Sequence, residues 1–133
     1  MDCRIVFCSA KKTAYCERAL KKLLSQSGIG LKGTSFTVDA GSLGEKLCAA
    51  LEDCRAVFVV GGLGLDIERN PAEILSRAVS AERVDDYKRI KNNAGADGYY
   101  LKAGDSSLVL LPDDPKQIKE MLSNINIFEA ISA

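Results

Sequence analysis

Arg55-Ala-Val-Phe-Val-Val60, continued by Gly61-Gly62-Leu63-Gly64, sets the architecture expected of this chain. After Arg55 the run is apolar without alternation, the pattern of a strand covered on both faces in the middle of a parallel sheet. Glycines directly behind such a strand admit positive φ and let a ligand approach the backbone closely. Their N–H groups, helped by the start of a following helix, can then meet phosphate oxygens. The same glycines also suit a tight strand-to-helix turn with no ligand, and the residues alone leave both readings open. The spacing is neither the G-x-G-x-x-G dinucleotide fingerprint nor a P-loop, since no G-K-S/T follows.

Working towards the N-terminus, Ser42-Leu-Gly-Glu45 has capping-box spacing, and Leu43, Leu47 and Leu51 form one helical stripe. Thr34 to Val38 alternates as a strand would. Cys16, Ala19, Leu20, Leu23 and Leu24 share a helix face closed by Gly28 and Gly30, and Arg4 to Cys8 is a short buried strand. Strand, helix, strand, helix, strand predicts helices packed on a largely parallel sheet with right-handed crossovers.

Towards the C-terminus, Asn70-Pro71-Ala-Glu73 predicts a helix with Ile74, Leu75, Ala78 and Val79 buried. Asp85 to Asn93 is charged and fits no class. Gly98 to Lys102 and Ser107 to Leu111 flank Ala103-Gly104-Asp105 as a β-hairpin. Asp114-Pro115 opens a last helix carrying Ile118, Met121, Leu122 and Ile125. No linker or repeat divides residues 1–133, so a single α/β domain is expected.

Composition removes several function classes. The formal charge is zero and tryptophan is absent, which disfavours nucleic acid and anionic membranes as partners. There is no histidine, and the five cysteines form an odd set without a C-x-x-C pair, so the usual zinc sets and Cys-His nucleophiles are missing. The cysteines read as small apolar core residues of a cytoplasmic protein. No stretch approaches the roughly 20 apolar residues that span a bilayer.

In open α/β sheets, ligands sit beyond the carboxyl ends of the strands. Two turns qualify. At the first, Gly61, Gly62 and Gly64 would offer backbone donors, Arg69 a compensating charge, and Asp66 with Glu68 a pair of carboxylates able to hold Mg²⁺ against phosphate oxygens. At the second, Leu111-Pro112-Asp113-Asp114-Pro115, Asp114 caps the helix and Pro115 opens it, which leaves Asp113 unexplained.

Three segments together resemble the molybdopterin-binding domain family, which includes MoaB, MogA, MoeA and the amino-terminal domain of CinA, the last being most similar in pattern. Ala56 to Gly64 is similar to the family's strand ending in T-G-G-x-G. Asn92-Asn-Ala-Gly-Ala-Asp-Gly-Tyr-Tyr-Leu101 is similar to N-P-x-G-x-A-x-G-F, and Val109 to Leu122 to the strand, L-P-G-x-P turn and following helix. The resemblance implies a three-layer α/β sandwich with a mostly parallel mixed sheet and a β-hairpin. It implies turns that bind molybdopterin or an adenine nucleotide, with Gly61, Gly62, Gly64, Arg69, Pro112, Asp113 and Asp114 as contacts and assembly into a homo-oligomer. Some CinA-like members cleave nucleotide pyrophosphates with a metal, for which Asp66 and Glu68 are the candidates.

The departures from the family pattern are specific. Val60 stands for its threonine, Arg69 for its aspartate and Pro71 for a second threonine. Asp113 stands for the glycine of L-P-G-x-P, and Ser9-Ala10-Lys11-Lys12 for an acidic loop. A guanidinium cannot ligate Mg²⁺. The expectation is therefore binding of a phosphate-bearing pterin or nucleotide with weak or absent catalysis and a place in molybdenum cofactor biosynthesis. The alternatives are a scaffold or regulatory module with a lost pocket, and a Mg-dependent pyrophosphatase or adenylyltransferase.

Overall fold

The computed structural model describes residues 1–38, 40–61, 86–123 and 127–132. In chain order these form β1 (Asp2–Cys8), α1 (Thr13–Gln26), β2 (Gly30–Thr37), α2 (Ala40–Asp53), β3 (Ala56–Gly61), β4 (Asp86–Ile90), β5 (Gly98–Ala103), β6 (Ser106–Leu111), α3 (Pro115–Ser123) and α4 (Ile127–Ser132). The sheet has six strands in the order β2-β1-β3-β6-β5-β4. The first four run parallel, while β5 is antiparallel to β6 and β4 antiparallel to β5. The mixed α/β sheet is thus as expected. The helix expected from Asn70 and the apolar position Ile125 lie outside the described residues.

Every residue of β3 is buried, as its unbroken apolar run requires. Strand alternation divides the core. Cys3, Ile5, Phe7, Ala56, Phe58 and Val60 face α1, α3 and α4 through Cys16, Leu20, Leu24, Ile118, Met121, Ile127 and Ile131. Val6, Cys8, Val57 and Val59 face the other way, against Leu43, Leu47 and Ala50 of α2. Helices therefore cover both faces of the sheet. Fully burying each of the larger side chains contributes about 1.5–3 kcal/mol.

Local chemistry fixes the element ends. The stop expected at Gly28 is a Schellman motif: Gly28 has φ +75°, its N–H donates to Ser25 O at 3.2 Å, and Ile29 N–H donates to Leu24 O at 2.9 Å. No atom lies within 4 Å of a Cβ added at Gly28, so only the left-handed backbone penalises a side chain there. Gly28→Ala is therefore expected to lower stability by about 1–2 kcal/mol, read as a reduced urea midpoint at unchanged slope. At the hairpin, Ala103 pairs Ser106 around Gly104-Asp105, and only Gly104 of that pair has positive φ, the sign pattern of a type II′ turn.

Four details depart from the sequence expectation. Strand β2 starts at Gly30 instead of Thr34, because parallel pairing with β1 begins at Asp2 and overrides the weak strand propensity of Gly30 and Gly33. Helix α2 starts at Ala40, so Ser42 lies inside its first turn and is not the N-cap. The unclassified charged stretch contains β4, an edge strand whose Lys88 and Arg89 are exposed, as charges on sheet edges commonly are. Helix α4 adds a final short segment whose Ile127 and Ile131 close the core.

Candidate functional site

Parallel register brings the expected turns together. Cys8 pairs Gly61, and Val60 pairs Leu111, so β1, β3 and β6 end side by side, about 4.8 Å apart per strand. The loops leaving them, Ser9 to Lys12, the glycine turn, and Pro112 to Asp114, open on one rim. Because β5 is antiparallel to β6, with Tyr99 opposite Leu110, the 91–97 loop enters at the same end. All three segments that carry the family resemblance therefore meet at the carboxyl edge of the parallel strands.

Gly61 has φ +88°, and a Cβ there would stand 2.4 Å from the Cys8 carbonyl oxygen. Its missing side chain thus serves close contact between the β1 and β3 ends. Gly62, Gly64, Asp66, Glu68 and Arg69, the remainder of the expected first turn, lie outside the described residues.

The β1–α1 loop begins with Ser9 at φ +49°, a left-handed non-glycine residue. Its N–H donates to Thr37 O at 2.9 Å and its hydroxyl to Val38 O at 2.8 Å, which ties the loop to the end of β2. Helix α1 has no side-chain cap of its own and no acid in its first turn. Its leading amides are met from elsewhere in the chain: the Asp113 carboxylate accepts from Lys11 N–H at 2.7 Å and Lys12 N–H at 3.1 Å. Anionic acceptors are favoured at such an end by the unpaired amides and the helix dipole. This explains the acid in place of glycine in the proline corner: Asp113 caps α1 across the rim.

Asp114 behaves as the spacing predicts. Its Oδ1 accepts from Lys116 N–H at 3.0 Å and Gln117 N–H at 3.1 Å, capping α3, and its Oδ2 pairs with Lys12 Nζ at 3.3 Å. The Gln117 amide bond, followed by the Lys12 ammonium, holds its carboxyl below the usual range. A depressed folded pKa means that this contribution is complete above the unfolded carboxylate pKa and is lost as pH falls through the lower, folded value. Asp114→Asn should therefore flatten the acid limb of the stability curve below the ordinary aspartate range, as followed by urea unfolding at stepped pH; an unchanged limb would contradict the capping role.

Cys16 lies under this corner, its Sγ 3.7 Å from Asp113 Oδ1. Burial first, then the Asp113 charge, pushes its pKa up to about 12, so it stays a thiol at neutral pH and is no nucleophile. Burial does the same to Cys3, also to about 12. All five cysteines are free, and four are buried.

The sequence reading named no site residue in the 91–97 loop, yet Asn92 organises this part of the rim. Its Oδ1 accepts from Ala94 N–H at 3.0 Å, and its Nδ2 donates to Ala96 O at 3.0 Å and to Gln117 Oε1 at 2.8 Å. Its own N–H donates to Asp97 Oδ1 at 2.9 Å. Asn92 thereby closes the loop on itself and locks it to the first turn of α3. The Asn-Asn-Ala-Gly run, a turn signature, was the available clue.

The metal expectation finds no support among the described side chains, where no group of three or more His, Cys, Asp or Glu could hold an ion. Asp113 and Asp114 spend their carboxylates on amides and on Lys12, while Asp66 and Glu68 lie outside the described residues.

No family model matches the sequence, and no curated protein matches it. Solved structures do. The chain is similar to the protein CinA, of unknown function, from Thermoplasma acidophilum, with 16% identity, a TM-score of 0.72, and coverage of 98% of this chain and 99% of that one. It is similar to the molybdopterin biosynthesis enzyme MoaB from Thermus thermophilus at 18% identity and TM-score 0.69, covering 98% and 94%. The molybdopterin biosynthesis Mog protein from Mycobacterium ulcerans gives 17% identity and TM-score 0.66, covering 99% and 98%. At these identities the likeness establishes the fold, which is the one that the three sequence segments implied.

Proposed function

We propose that the chain binds a phosphate-bearing pterin or adenine nucleotide at this rim, with weak or absent catalysis, in the setting of molybdenum cofactor biosynthesis. The observation that carries the reading is the convergence of the glycine turn, the proline corner and the Lys11-Lys12 loop at the ends of three adjacent parallel strands. Gly62 and Gly64 supply backbone donors and Arg69 supplies charge, as does Lys11, whose ammonium is in no ion pair among the described residues. Asp113 already occupies the amides at the start of α1, so the phosphate is directed towards the glycine side of the rim. Low catalytic power follows from Arg69, which cannot take the metal-binding part of the aspartate it replaces.

Calorimetric titration with ADP and with molybdopterin tests this. Binding of either is expected, with loss of at least about tenfold in affinity, or about 1.4 kcal/mol, in Gly62→Val at unchanged fold. Incubation with Mg²⁺ and ATP or ADP-ribose is expected to give no turnover above background. Unchanged affinity in Gly62→Val would remove the glycine turn from the site.

A second reading has its own observation. Both rim acids, Asp113 and Asp114, are engaged within the chain, as in a module that has closed its pocket and kept the fold for protein contacts. Absence of any ligand-induced thermal shift with nucleotides and pterins would favour it.

A further inference from the structure

Helices α1 and α3 both start at the rim and run side by side down the outside of the sheet. Between them lies a groove of about 310 Å³ lined by Tyr15, Arg18, Ala19, Lys22, Pro115, Lys116 and Lys119. Its walls carry four cations and no carboxylate: Arg18 and Lys22 stand one turn apart on α1, and Lys116 and Lys119 one turn apart on α3. None of the four is in an ion pair among the described residues. The acids of the same helices, Glu17 and Glu120, do not line it. Its apolar lining is Tyr15, 63% exposed, with Ala19 and Pro115. In a chain whose formal charge is zero, such a local excess is a directed feature of the surface.

We propose that this groove docks an acidic segment of a partner protein, in which an apolar side chain sits on Tyr15, Ala19 and Pro115 and flanking carboxylates meet the two cation rows. Charge complementarity selects the acidic partner. The exposed tyrosine and the small and proline residues beside it select a peptide over a free phosphate, which would gain nothing from apolar contact. Cations at one-turn spacing, about 5–6 Å, match carboxylates placed three or four residues apart on a helix. The site is separate from the rim amides and does not depend on nucleotide binding.

The test is fluorescence anisotropy of a labelled peptide built from repeated Glu-Glu-Leu triplets, measured against the full chain at low and physiological salt. Saturable binding that weakens with salt is expected. Lys116→Glu combined with Lys119→Glu should weaken it at least about tenfold, Tyr15→Ser several-fold, and Lys46→Glu, on exposed α2 surface, not at all. These groove side chains are exposed or half-exposed, so the variants should retain the wild-type circular dichroism spectrum and urea midpoint. Failure of the peptide to bind would overturn the proposal, as would binding indifferent to the Lys116 and Lys119 reversals. A peptide with Ser for Leu that binds equally well, or inorganic polyphosphate that binds where the peptide does not, would show a groove reading charge alone and would overturn it too.

Discussion

Gly98→Ala is expected to lower the unfolding free energy by about 3 kcal/mol, the upper range for overpacking a close-packed interior. The added Cβ would stand 2.4 Å from the Leu110 carbonyl oxygen, 3.0 Å from Met121 Cε and 3.6 Å from Ile90 Cβ. Met121 Cε ends a flexible side chain and can move. The Leu110 carbonyl belongs to β6, which is held by β3 on one side and β5 on the other, so it moves only if the sheet opens. Gly44→Ala provides the contrast: it sits within α2 with nothing inside 4 Å and should stabilise by about 0.5–1 kcal/mol. Urea midpoints of the two variants on either side of wild type would bear this out. A Gly98→Ala midpoint equal to wild type would show that the β5–β6 contact is looser than described.

Asp113→Ala should cost about 2–3 kcal/mol, since hydrogen bonds to a charged group contribute about 1.5–3 kcal/mol and the change leaves the Lys11 and Lys12 amides without their acceptor. Asp113→Asn, which keeps one acceptor oxygen but no charge, should fall between. The same change has a second, opposite effect if the rim receives phosphate. Asp113→Gly frees two amides and removes a negative charge beside them, so affinity for ADP should rise by about tenfold, or about 1.4 kcal/mol, while stability falls. Loss of both stability and affinity would mean that Asp113 shapes the ligand site instead of competing with it.

Much of this was legible in the sequence for identifiable reasons. The unbroken apolar run of β3 declares a central strand, and the Asp114-Pro115 pair declares a helix start, because burial and capping each leave local signatures. The role of Asp113 leaves none. Its partners are about a hundred positions away, and only parallel pairing of β1, β3 and β6 brings them within reach. Asn92 is intermediate: its turn chemistry is local, whereas its bond to Gln117 depends on the packing of α3. Strand β4 was missed because edge strands carry charge where interior strands carry apolar residues, which erases the periodic signal.

The decisive measurement is the amide ¹H–¹⁵N chemical-shift map of the chain titrated with ADP. If the rim is an anion receptor, the shifted amides should gather at Gly61 and beyond, at Ser9 to Lys12 and around Asp113, with the α1–α3 groove undisturbed. Shifts confined to that groove, or none at saturating nucleotide, would contradict it.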